Sequence, residues 1–134
     1  MVIDNFIKKA QADKYVSIFG KTTVKKESRK YQITEEATAY LIKKNFGVIH
    51  GGYAGGIMQA VADKAYALLK KESLPLERNI AVTQQQHDAC GWDRVENASF
   101  TEPAKDIYSR LRDITSHSDI VLIAPLGGDG TMLE

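Results

Sequence analysis

Hydrophobic positions along this chain fall into short blocks whose period switches between two and about 3.6, separated by polar stretches. Tyr15-Val16-Ser17-Ile18-Phe19-Gly20 is a β-rich run that ends in glycine and predicts a first strand. From Tyr31, the positions Ile33, Ala37, Tyr40 and Leu41 recur at helical spacing, and Lys43-Lys44-Asn45 suits a helix C-terminus. Phe46-Gly47-Val48-Ile49-His50 predicts a second strand, after which Ile57, Ala60, Val61, Lys64, Ala65 and Leu68 trace a second amphipathic helix ending near Lys70-Lys71. Pro75 marks a loop, and Asn79-Ile80-Ala81-Val82-Thr83 predicts a third strand. A third helix is expected after Thr101, with Glu102-Pro103 in its first turn and Ile107, Leu111 and Ile114 on one face; Asp119 to Ala124 predicts a fourth strand. Residues 21–30 and 84–99 are polar, the first a basic loop and the second irregular, while residues 1–14 form a short leading helix or an arm.

Strands alternating with helices through short turns call for an α/β fold, a Rossmann-like parallel sheet flanked by helices. In such sheets ligands bind beyond the carboxyl ends of the strands, where strand order reverses. The three glycine-bearing turns, after Phe19, His50 and Leu126, all fall at such ends. A length of 134 residues predicts one domain spanning 1–134.

Composition narrows the class without naming an activity. The net charge of +1 argues against a nucleic-acid partner or an anionic membrane surface, and no apolar run approaches a membrane span. The first residues lack the pattern of a signal peptide, and a single cysteine, Cys90, fits a reducing cytoplasm. No cofactor is called for. His87 and Cys90 have no second ligand pair at suitable spacing, so no metal site is expected.

Chemistry concentrates in the glycine turns. Gly127-Gly128-Asp129-Gly130-Thr131, after the apolar run Ile120 to Ala124, is a phosphate-loop candidate. Glycine there aims successive N–H groups at one anion and Thr131 adds a hydroxyl donor; the alternative is a tight strand-to-helix turn. Gly51-Gly52-Tyr53-Ala54-Gly55-Gly56 is a second candidate, with Gly51, Gly52 and Gly55 as contacts, again against a purely geometric turn. Gly20-Lys21-Thr22-Thr23 fails the P-loop pattern, because Tyr15 stands where that pattern needs glycine; Gly20 and Lys21 retain a supporting role near a phosphate. Trp92 lies in a polar loop, where it stacks on a base or anchors the loop. His50 and His117 are most simply packing or surface residues. Glu134 falls in the first turn of a helix with no residues left to continue it, so the chain is expected to be part of a larger molecule.

Taken together the motifs resemble the LOG (Lonely Guy) family, also labelled possible lysine decarboxylases. The family pattern P-G-G-x-G-T-x-x-E has its counterpart in Pro125 to Glu134, its G-G-G-x-x-G-[IL]-M element in Gly51 to Met58, its first-strand turn in Val16 to Gly20, and its helix arginine in Arg110 upstream of Ser118-Asp119. The order is collinear over nearly the whole chain. Leu126 separates Pro125 from the glycines, and Tyr53 replaces the third glycine of the second element. The resemblance implies an incomplete, C-terminally truncated version of the family's Rossmann-like fold, and a homodimer. It implies hydrolysis of the N-glycosidic bond of nucleoside 5′-monophosphates to free base and ribose 5-phosphate. Gly127, Gly128, Gly130 and Thr131 would hold the phosphate, Glu134 would be the acid near the ribose, and Arg110 would steady that carboxylate or the ligand. Two other readings stand beside it: a non-catalytic carrier of a nucleotide or molybdenum cofactor, which some relatives resemble, and an NAD or lipid kinase, whose signature the Gly-Gly-Asp-Gly-Thr string resembles and in which Asp129 would carry the chemistry.

Overall fold

The computed structural model describes residues 2–123; the expectations resting on Gly127, Gly128, Asp129, Gly130, Thr131 and Glu134 lie outside them. The described chain runs α1 (Val2–Ala10), β1 (Tyr15–Phe19), α2 (Arg29–Lys43), β2 (Gly47–His50), α3 (Gly56–Lys71), a 3₁₀ turn (Leu76–Arg78), β3 (Asn79–Ala81), α4 (Gln85–Ala89), β4 (Ser99–Phe100), α5 (Ile107–Ser116) and β5 (Ile120–Ile123). The five strands form one sheet in the order β4-β3-β2-β1-β5, and every pairing is parallel. This is the Rossmann-like α/β sheet that the alternation of periods predicts.

Strand faces explain the layers. Val16, Ile18 and Val48 look to one side, where Leu41 and Ile42 of α2 and Ile57, Val61, Ala65 and Leu69 of α3 close over them. The alternate positions Tyr15, Ile49 and Ile80 look to the other side, against Ile3 and Ala10 of α1 and Ile114 of α5. Full burial of each such side chain is worth about 1.5–3 kcal/mol, so the two clusters supply the main drive for the layered arrangement. The leading segment is therefore a docked helix rather than an arm.

Three departures from the sequence pattern have local causes. α2 begins at Arg29 because Ser28 caps it, its hydroxyl accepting from the Tyr31 N–H at 3.2 Å. α5 begins at Ile107, with Asp106 accepting from the Ser109 N–H at 2.8 Å. Residues 101–104 cannot start it, since Ala104 donates to Thr83 O and accepts from the Gln85 N–H, both at 2.8 Å, which holds this stretch extended. The stretch 84–99 contains α4 and the first residue of β4, a strand only two residues long and so beneath any periodic signal.

Strand order reverses at β1. The chain lays down β1 to β4 in one direction and then crosses to the other flank of β1, where Phe19 pairs with Ile123. Asp119 pins that crossing: its carboxylate accepts from the Tyr15 N–H at 2.9 Å, and its own N–H donates to Tyr15 O at 2.8 Å. The crevice that such a reversal opens lies beyond Phe19.

One buried polar pair sits beneath it. His50 Nε2 meets Asn79 Oδ1 at 2.8 Å, and its Nδ1 accepts from the Gly52 N–H at 3.1 Å, which sets a neutral Nε2–H tautomer. Burial pushes the imidazole down to about 4. Because the folded value lies below the unfolded 6.5, the unfolded chain takes up the proton first, and stability falls as pH drops from about 6.5 towards about 4. Urea midpoints measured between pH 7.5 and pH 4.5 should decline across that window, and His50→Gln should flatten the decline. An equal decline in the variant would remove His50 as its cause.

Candidate functional site

The crevice at the strand-order reversal is a cleft of about 230 Å³ whose walls include Phe19 and Gly20 from the end of β1, Gly51 after β2, Met58 of α3, and Arg110 and Leu111 of α5. Three residues singled out in the sequence, Gly20, Gly51 and Arg110, thus meet in one place although they lie far apart along the chain. Among the described residues the walls are mostly apolar, and Arg110 is the charged group in them.

Arg110 is held by neutral groups. Its Nε donates to Val82 O at 2.9 Å and its Nη2 to Gly51 O at 2.8 Å, with Met58 Sδ 3.8 Å from the same nitrogen. The guanidinium carbon lies 5.2 Å above the centre of the Tyr53 ring. Among the described residues no carboxylate pairs with it and Nη1 has no partner. Burial lowers its pKa, although an arginine remains a cation at any ordinary pH. A half-buried cation balanced only by dipoles is costly, and an anion in the cleft would relieve that cost.

Gly51 is glycine for a steric reason. A Cβ there would run into the Arg110 guanidinium and lie 2.5 Å from Met58 Sδ. At Gly56, where φ is +60°, a Cβ would collide with the carbonyl of Lys21, which accepts from the Ile57 N–H at 3.0 Å. The β1–α2 loop is thereby clamped onto the start of α3.

The remaining sequence candidates are placed differently. The Gly52 N–H serves His50, and its carbonyl accepts from the Val95 N–H at 2.9 Å. The Gly55 N–H donates to Gln59 Oε1 at 3.1 Å, and the Ala54 N–H to Asp93 O at 2.8 Å. Several donors of this turn are therefore engaged within the chain, and an anion beside it would meet Arg110 first. Lys21 lies on a separate cleft with Thr23, Lys25, Arg29 and Lys30. No group of three or more candidate metal ligands occurs among the described residues.

Sequence reasoning missed the support behind Arg110. Tyr53 is 1% exposed; its hydroxyl accepts from the Gln84 N–H at 2.8 Å and lies 3.0 Å from Asp88 Oδ1. Asp88 in turn pairs with Arg94 at 2.7 Å and accepts from Thr83 Oγ1 at 3.2 Å. The Arg94 hydrogen bond, with those from Tyr53 and Thr83, holds the Asp88 carboxyl below its usual range. No periodicity links positions 53, 83, 88 and 94; only the fold brings them together.

Gly51→Ala should displace Arg110 and destabilise the protein by about 1–3 kcal/mol, the usual cost of overpacking a filled site. Urea denaturation reads the loss, and an unchanged midpoint would show that the guanidinium does not occupy that space. No protein-family model matches this chain, and no curated protein matches it.

Proposed function

We propose that this chain binds nucleoside 5′-monophosphates in the cleft at the strand-order reversal and hydrolyses their N-glycosidic bond. Water adds to the ribose C1′ as the C1′–N bond breaks; the base leaves with a proton, and ribose 5-phosphate remains. The observation that carries the reading is Arg110, a half-buried cation with no carboxylate partner among the described residues, facing the crevice where an α/β sheet takes its ligands. The collinear LOG-like motifs supply the reaction.

In this reading Gly127, Gly128, Gly130 and Thr131 hold the phosphate, with Gly20 and Gly51 giving room for it; Lys21, on the other cleft, takes no part. Glu134 orients water and stabilises the positive charge that grows on the ribose ring as the base departs. Arg110 steadies that carboxylate or the ligand. Phosphate binding at the remote end positions the reacting carbon. A cytoplasmic homodimer belongs to the same proposal, supported by the exposed Tyr108 and Leu111 on α5 and by the absence of any described helix long and apolar enough to cross a membrane.

Incubation with AMP, GMP, CMP and UMP, followed by chromatography of the free bases, tests the reaction. Base release is expected, with Glu134→Gln retaining nucleotide binding while turnover falls about a hundredfold or more. Arg110→Met should weaken nucleotide binding about tenfold, the loss of one charge-assisted contact. Tight binding without base release would favour a carrier. Transfer of phosphate from ATP to NAD, lost in Asp129→Asn, would instead make it a kinase. Sedimentation velocity should show a dimer that Tyr108→Glu weakens.

A further inference from the structure

The protein's single tryptophan, Trp92, is held in a way that the cleavage chemistry does not use. It is 45% exposed, yet its ring is fixed. The His87 imidazole stacks on the indole with ring centres 3.8 Å apart and planes within 4°. Tyr53 meets both rings edge-on, at 5.5 Å and 5.4 Å. The backbone is tied down on both sides: the Trp92 N–H donates to His87 O at 3.0 Å, and the Val95 N–H to Gly52 O at 2.9 Å. The Arg94–Asp88 pair closes the same loop at 2.7 Å. A side chain immobilised at the surface offers a flat apolar face whose ordering cost has been met during folding.

Tyr53, buried beneath, links this face to Arg110 of the cleft wall. Its ring carries the Arg110 guanidinium at 5.2 Å and the indole at 5.4 Å. The cation and the indole are thus no farther apart than one cation-to-ring and one ring-to-ring step, comparable to the reach from phosphate to base within a nucleoside monophosphate. The same corner holds two buried polar atoms, Gln84 Oε1 and His87 Nδ1, without a hydrogen-bond partner among the described residues. Desolvation, with the Arg110 charge adding to it, lowers the His87 pKa and favours the neutral ring that stacks well on indole.

We infer that Trp92, backed by His87, is the stacking platform for the nucleobase of the bound nucleotide, and that purines bind there more tightly than pyrimidines. The larger purine face overlaps more of the indole, and stacking tolerates either purine. The inference rests on the nucleotide reading above and adds the base subsite to it.

Because Trp92 is the only tryptophan, fluorescence excited selectively in tryptophan, at the red edge of the absorption band, reports this platform alone. Read within seconds of mixing, AMP should quench it strongly and UMP less. Ribose 5-phosphate should leave it unchanged while competing with AMP. By calorimetry, Trp92→Ala should weaken AMP binding about tenfold or more and leave ribose 5-phosphate binding unaltered, with Trp92→Phe restoring most of the loss. Circular dichroism of each variant checks that the fold is retained. AMP binding without quenching, and with equal affinity in Trp92→Ala, would overturn the platform while leaving the phosphate site standing. Quenching by adenosine with no binding of ribose 5-phosphate would do the reverse. No binding of any of these ligands would overturn both.

Discussion

Where a parallel sheet stops, its last carbonyls lose their strand partners, and the structure depends on how two of them are satisfied here. Gly51 O and Val82 O, just beyond β2 and β3, both accept from Arg110 of α5. A buried carbonyl left unpaired costs about 1–3 kcal/mol, so one side chain placed across two of them does the work of a missing strand. The arrangement dictates its neighbours. Gly51 must lack a side chain because the guanidinium fills that space, and Met58 and the Tyr53 ring pack against what remains of it. α5 is thus docked over the crevice at the reversal of strand order, and the cleft has a charged wall because the sheet needed a donor there.

Polar groups elsewhere in the interior follow the same rule. Asn79 is a hub: its Oδ1 meets His50, and its Nδ2 donates to Ala62 O at 3.0 Å and Asn97 O at 2.9 Å, joining α3 and the segment before β4 to the sheet. Arg78 is buried at the opposite end of the strands. Its Nε donates to Ala10 O at 3.0 Å, and its Nη1 to Asn45 Oδ1 at 2.5 Å, so one cation closes the C-terminal ends of α1 and α2. Each of these roles arises only through contacts distant in the chain.

That difference marks how much could be read beforehand. The sheet strands other than β4, the helices with a clear apolar stripe, and the placement of glycine turns at strand ends all leave local signatures, because alternating faces and short turns are encoded in neighbouring residues. Val16, Ile18 and Val48 face one layer as their spacing requires. β4, at two residues, is too short for a period, and it exists because β3 offers an open edge. The start of α5 is displaced by hydrogen bonds that Ala104 donates to Thr83 O and accepts from the Gln85 N–H, which no window around Pro103 contains. At the site, Arg110 and Gly51 were legible as motif pieces, whereas their direct contact was not. Tyr53, read as a bulky departure from a glycine pattern, turns out to support the arginine.

The way Arg110 is held also bears on what it can do. Had a carboxylate such as Asp88 paired with it, the positive charge would be cancelled, and an incoming anion would have to displace a bound one. Asp88 is instead taken by Arg94, Tyr53 and Thr83. Arg110 is oriented by carbonyls and an aromatic face, which fix a guanidinium without neutralising it. Of its five N–H donors, those on Nε and Nη2 point into the protein, so the free capacity is confined to Nη1. That geometry favours a contact through one nitrogen over the two-pronged grip that arginine often gives a phosphate. Such an arginine is suited to setting the local potential and holding a neighbouring carboxylate or one ligand oxygen, and the main grip on a phosphate would then fall to backbone donors of a glycine turn.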